Sequence, residues 1–234
     1  MTDFKAEIGI IGAMQMEVDR LKEDISDKKE YKISGIPFVC GEMFGKKVVM
    51  AVSGVGKVFA AVCTEAMILN FSPEVIINTG VAGGLLKDFK IGNAAIAESL
   101  VQHDMDTSAL GDPLGLISGL DIVNIPCDKE VFEGLKESAH KMGVTYKTGV
   151  IASGDQFVSD KNHKEEIIKA FNAIACEMEG AAIAQVCHIN GVRCGVLRSI
   201  SDGADDSADF DFQKFAKEAA VNSSEIIKGY IKKH

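Results

Sequence analysis

Short apolar runs alternate with longer stretches of helical spacing along the whole chain. Ile8–Ile11 is a β-rich run that ends in Gly12-Ala13, and Glu17–Ile25 then carries apolar residues three and four apart. Val48–Val52 is a second strand candidate, followed by the loop Ser53-Gly54-Val55-Gly56. Val58–Leu69 is apolar all round, which predicts a buried helix. After Pro73, Val75–Asn78 begins another strand that ends in Gly80-Val81-Ala82-Gly83-Gly84. Further strands are predicted at Ala94–Ala97, Thr148–Ala152, Ala173–Cys176 and Val192–Ser199. Helices are predicted at Lys129–Met142, His163–Phe171, Glu179–His188 and Phe212–Ile231. Alternating strands and helices, with near-continuous apolar strands, predict an α/β fold whose mostly parallel sheet is covered by helices on both faces. The longest irregular stretch is Gln102–Gly119, and long loops in compact domains are often functional.

Composition narrows the picture. At 234 residues, with 47% apolar and 25% charged side chains, the chain suits one domain over residues 1–234 with a well-buried core. Its 34 acidic against 25 basic side chains give a net charge of −9, which would repel phosphate backbones and anionic lipid surfaces. Nucleic-acid and membrane partners are therefore not expected. No apolar stretch is long enough to span a bilayer, and Met1–Glu7 lacks the apolar core of a secretion signal. The six cysteines form no CxxC pair and mostly sit in apolar runs, as buried free thiols of a reducing cytoplasm would. The histidines are far apart in sequence, so neither metal nor cofactor is expected, and His103 reads as a loop hydrogen-bonder.

The candidate chemistry lies where predicted strands end. In open α/β sheets ligands sit beyond the carboxyl ends of the strands, and here those ends carry glycine clusters and acids. Gly54-Val55-Gly56-Lys57 and Gly80–Gly84 match neither a Walker loop nor a dinucleotide fingerprint, so neither turn alone marks a phosphate site. Glu17, the pair Glu177 and Glu179, and Asp202 each have an ordinary explanation as a first-turn acid or a turn cap. All four occur at strand-to-helix junctions, however, and the ordinary explanations must then hold together.

As a set, the segments resemble a known family. Gly9-Ile10-Ile11-Gly12-Ala13-Met14 with Glu17, Ile76–Gly80 with Ala82-Gly83-Gly84, Ser153-Gly154-Asp155 with Phe157, Glu177-Met178-Glu179, and Arg198–Asp202 resemble the bacterial 5′-methylthioadenosine/S-adenosylhomocysteine nucleosidases, within the wider nucleoside phosphorylase superfamily. The resemblance covers nearly the whole chain. It implies a three-layer α/β/α domain around a central mixed, barrel-like sheet, assembled as a homodimer. It also implies an N-glycosyl hydrolase of 5′-methylthioadenosine and S-adenosylhomocysteine, with 5′-deoxyadenosine as a further substrate.

Roles follow by position. Asp202 is implied to protonate adenine N7, Glu17 to activate the water, and Glu179 to hold the ribose hydroxyls with Met178 beside the sugar. Phe157 is implied to stack on adenine, with the Val158 backbone reading its edge. Met14, Val55 and Phe212 would wall the 5′ pocket, and Ala82, Gly83, Glu177 and Ser201 would complete the substrate site. Leu110 and Pro113, in the irregular loop, would reach the partner subunit's pocket. The opening loop Gly12–Val18 and the loop Gly80–Leu86 contain no arginine to match a phosphate dianion, which favours hydrolysis over phosphorolysis. The alternatives are a phosphorylase or aminofutalosine hydrolase of the same superfamily, or a nucleoside-binding protein without catalysis. Val81, Gly180 and Leu110 depart from the family's usual residues and bear on 5′-substituent preference.

Overall fold

The computed structural model describes residues 2–234. Its strands are β1 (Ile8–Gly12), β2 (Ser26–Ile33), β3 (Ile36–Met43), β4 (Lys46–Val52), β5 (Val75–Gly84), β6 (Ala94–Gln102), β7 (Ile125–Pro126), β8 (Tyr146–Ser153), β9 (Ala173–Glu177) and β10 (Arg193–Asp202). Its α-helices are α1 (Gln15–Glu23), α2 (Lys57–Phe71), α3 (Lys129–Lys141), α4 (Lys161–Phe171), α5 (Gly180–Asn190) and α6 (Ala208–Ile231), with a short 3₁₀ turn at Ser108–Leu110.

One sheet runs in the order β10-β6-β8-β9-β5-β1-β4-β3-β2, and β10 also pairs with β5. That second pairing closes β5, β10, β6, β8 and β9 into a five-stranded barrel, from which β1, β4, β3 and β2 extend. Parallel ladders join β1 to β4 and β5, β5 to β10, and β8 to β6 and β9. Antiparallel ladders join β10 to β6, β5 to β9, and the β2-β3-β4 meander. The sheet is therefore mixed rather than mostly parallel: short turns make the β2-β3-β4 meander antiparallel, and closing the barrel sets β10 against β6 and β5 against β9 in opposite directions.

Every residue of β1, β5 and β9 is buried, which explains their continuous apolar patterning. One core layer joins α2 and α5 to the sheet through Ala60, Cys63, Met67, Ala181 and Ile183. The other joins α1, α3 and α6 through Val18, Leu21, Val131, Leu135 and Ile227. The six cysteines are unpaired, five of them buried. Burial pushes the Cys63 thiol up to about 12, so it stays protonated and packs as a small apolar group.

Two expectations need correction. The segment Ser26–Met43 carries a hairpin that periodicity does not reveal, since β2 is largely exposed and charged. Helix α2 is not buried all round: Val58 (74%), Phe59 (58%), Val62 (43%) and Leu69 (52%) face outward, because only one side packs on the sheet and α5.

Candidate active site

The carboxyl ends of β1, β5, β8, β9 and β10, with the loop after β4, converge on one cavity of about 630 Å³, counting its open mouth. Ligand pockets commonly fall between roughly 300 and 1,000 Å³. It is lined by Met14, Glu17, Val55, Ala82, Gly83, Phe157, Val158, Glu177, Met178, Glu179, Ser201, Asp202 and Phe212. Ala13, Val81, Gln156 and Cys176 complete the lining. Leu110 and Pro113 lie outside it, and Leu110 is 83% exposed.

Glu17 sits in the first turn of α1, but its side chain turns inward. One carboxylate oxygen accepts the Ala13 (2.7 Å) and Met14 (3.0 Å) N–H groups, and the other accepts the Val81 N–H (3.1 Å). Burial raises its pKa, while Arg198 and these three amides oppose the rise. The crowding is tight. A Cβ on Gly80 would fall 2.2 Å from Arg198 Nη1 and 2.5 Å from Glu17 Oε1, so only glycine fits there.

Glu177 and Glu179 do different jobs. Glu177 is consumed by structure: it accepts the Glu179 N–H (3.0 Å) and Gly180 N–H (2.8 Å) at the start of α5, and it pairs with Ser153 and Arg198. Glu179 accepts the Gly56 N–H (2.8 Å) and stands 3.6 Å from Arg198. Burial lifts the Glu179 pKa to about 7 despite Arg198, with the neighbouring Glu177 charge pushing the same way. Arg198 is the residue that sequence reasoning left without a role. It is fully buried on β10, donates to Asn78 Oδ1, and stands among Glu17, Glu177 and Glu179. The signal was available, since a lone arginine inside an apolar strand needs acidic partners.

Asp202 ends β10. Its carboxylate accepts the Ser201 O–H (2.8 Å) on one oxygen and the Ala204 N–H (2.9 Å) on the other. Burial raises its pKa, against both hydrogen bonds, and the Asp211 and Asp205 charges add to the rise. Across the cavity Phe157 meets Phe212 edge to face, with ring centres 5.6 Å apart. His103 departs from expectation: it is buried, and its Nε2 has no hydrogen-bond partner. Among the described residues no cluster of three or more His, Cys, Asp or Glu is arranged to hold a metal. Arg20, three residues past Glu17, is exposed on α1 and does not line the cavity.

The cavity is mostly apolar, holds separate buried carboxylates and has no basic side chain in its lining, an arrangement suited to acid–base chemistry. Residues 7–232 match the model of the phosphorylase superfamily, and the chain belongs to that family. It is 42% identical over 226 residues to an aminodeoxyfutalosine nucleosidase of Helicobacter pylori, covering 96% of this chain and 97% of that one. It is 39% identical over 227 residues to a 5′-methylthioadenosine/S-adenosylhomocysteine nucleosidase of Shewanella halifaxensis, covering 97% of this chain and 99% of that one. The crystal structure of the nucleosidase of that name from Neisseria meningitidis, in complex with methylthio-immucillin-A, superposes with a TM-score of 0.94 at 37% identity, covering 97% and 99% of the two chains.

Proposed function

We propose that this protein hydrolyses the N-glycosidic bond of 5′-methylthioadenosine and S-adenosylhomocysteine, releasing adenine and the 5-thioribose product. One observation carries the reading: Glu17, Glu179 and Asp202, from three distant segments, are buried around a single cavity with an aromatic wall. Adenine leaves poorly as an anion, so a general acid must protonate it as the bond breaks. Asp202, whose pKa burial raises, supplies that proton to N7. Glu17 takes a proton from the attacking water, which adds to the anomeric carbon; burial raises its pKa, and Arg198 and its three amide donors oppose that rise by favouring the carboxylate. Glu179 holds the ribose hydroxyls, and carboxylate charge near the sugar stabilises the positive character of the transition state. Phe157 stacks on the base, the Val158 backbone reads its edge, and Met14, Val55 and Phe212 wall the 5′ substituent.

Water rather than phosphate is the nucleophile. A phosphate dianion would meet Glu17 without a free cation in the lining, since Arg198 is already engaged by Glu177, Glu179 and Asn78. Adenine release from 5′-methylthioadenosine in phosphate-free buffer, with free 5-methylthioribose as co-product, is the expected result; release only with phosphate would overturn the reading. A second substrate reading has a specific basis. Relatives at 42% and 41% identity, both from Helicobacter pylori, are named aminodeoxyfutalosine nucleosidases. Relative kcat/KM for that nucleoside and for methylthioadenosine decides which the 5′ wall prefers.

Two further proposals accompany the activity. The outward apolar residues of α2, with Ile189 of α5, are covered by a second copy of the chain, and the partner's loop around Leu110 and Pro113 closes the 5′ pocket. The unpaired, mostly buried thiols suit a reducing cytoplasm.

A further inference from the structure

The carboxylate that faces the sugar is held from behind by a loop, and that loop is tied down by a closed ring of contacts outside the cavity. Gly56, which donates its N–H to Glu179, has φ +99°, and a Cβ there would fall 3.0 Å from Asp155 Oδ1. The next residue, Lys57, begins α2 and donates its N–H to Asp155 Oδ1 (2.7 Å). Asp155 in turn donates its N–H to Asp104 Oδ2 (2.9 Å). Asp104 Oδ1 closes the ring on the Lys57 ammonium (2.6 Å), which also donates to Gln102 Oε1 (3.0 Å).

The ring joins three loops, each next to a wall of the cavity. Val55 and Gly56 precede Lys57, Gln156 and Phe157 follow Asp155, and Asp104 opens the stretch that leads to Leu110. None of Lys57, Asp104 or Asp155 lines the cavity itself. The ion pair is four-fifths shielded, with side-chain exposures of 19% and 20%, unlike most pairs of this chain. Beneath it, His103 packs so closely on Gly154 that a Cβ there would fall 2.3 Å from the imidazole, and the His103 N–H donates to Ser153 O (2.9 Å). The ends of β6 and β8 are thus fixed at one spacing. An exposed pair of this kind would merely add a little stability. This one is shielded, and it holds the residue that directly follows the Gly56 amide, the donor to Glu179.

We propose that Lys57 and Asp104 are positioning residues that, through the Gly56 N–H, hold Glu179 in register with the ribose hydroxyls. The proposal rests on the reading of Glu179 as the ribose-binding group. Small misplacements matter here: a catalytic group about 1 Å out of place can lose around a hundredfold in rate.

The test is a double-mutant cycle on kcat/KM for 5′-methylthioadenosine, with thermal unfolding followed in every variant. Asp104→Asn keeps the shape and the Asp155 contact but loses the charge on Lys57. It is expected to lower kcat/KM roughly tenfold while the melting temperature stays near wild type. In a Glu179→Gln background the same change is expected to cost less than about threefold, because the group it acts on has already been altered. Losses that multiply independently would sink the proposal and leave the ribose reading intact. A Glu179→Gln enzyme with wild-type kcat/KM would instead remove the ribose reading, and the proposal with it. If Asp104→Asn does not fold, Lys57→Gln carries the same cycle, since it leaves Asp104 on the Asp155 amide.

Discussion

The acids of this site are distinguished by environment more than by identity. Glu177 is saturated with donors, whereas Asp202 receives two and Glu179 receives one amide with an arginine at the edge of contact. That difference predicts behaviour. Replacing Asp202 by Asn or Glu17 by Gln should leave the fold intact and lower turnover by roughly a hundredfold or more, and a variant retaining a tenth of wild-type rate would contradict the assignment. If Asp202 is the general acid, as proposed, its acid form is the active one, and kcat/KM should fall as pH rises through the pKa that burial has raised. The Ser201 hydroxyl stabilises the ionised form, so Ser201→Ala should move that falling limb to higher pH; a limb moving lower would exclude Asp202 as its source. Glu179 makes a matching prediction for stability. Its pKa is 4.5 when unperturbed and about 7 in the fold, so the native state prefers it protonated. Its contribution is complete below pH 4.5 and is lost as pH rises to about 7. Glu179→Gln should therefore gain thermal stability relative to wild type between pH 5 and pH 8 in a paired melting series, and a constant difference would refute the raised pKa.

At the scale of elements, legibility followed burial. Strands β1, β5 and β9 were readable because every position is buried, and the apolar run is the whole signal. The hairpin β2-β3 was not, since Ser26-Asp27-Lys28-Lys29-Glu30 reads as a charged surface stretch. Its clue is the Ser34-Gly35 turn, where both residues have positive φ (52° and 79°), as tight hairpins require. Only the start of β5, Val75–Asn78, carries an apolar signal; the strand runs on through Gly80–Gly84. Glycines and alanines there lack the side chains that mark a strand, and they are small because Glu17, Arg198, Asp202 and Ala204 crowd against them. The site acids were legible as a set at strand ends, whereas Arg198 was legible only as an arginine in need of acidic partners, not as the partner of particular ones. Its meaning depends on Glu177 and Glu179, which reach it only once β9 and β10 share a barrel.

Considered as a whole molecule, the fold leaves one apolar region without a cover. Helix α2 packs inward through Ala60, Cys63, Met67 and Phe71, yet presents Val58, Phe59, Val62 and Leu69 to the outside. Single exposed apolar residues are normal, but four on one helix with Ile189 beside the paired helix α5 mark a contact surface. The cavity is also open on one side. Val55 and Phe157 in its wall remain 48% and 45% exposed, and no residue of the Leu110–Pro113 loop lines it. A second copy meets both needs at once if the α2 faces pair and each loop reaches across. Phe59→Glu, remote from the acids, should convert the protein to a monomer in light scattering while far-ultraviolet dichroism stays unchanged. The monomer should then lose affinity for substrates with long 5′ groups more than for 5′-deoxyadenosine, because the lost wall touches only the 5′ substituent. Leu110→Ala in an intact dimer should reproduce the same bias in KM. A monomeric Phe59→Glu enzyme that treats all three nucleosides as wild type does would mean the pocket is complete within one chain. A wild-type protein that is already monomeric would leave the α2 face to some other partner.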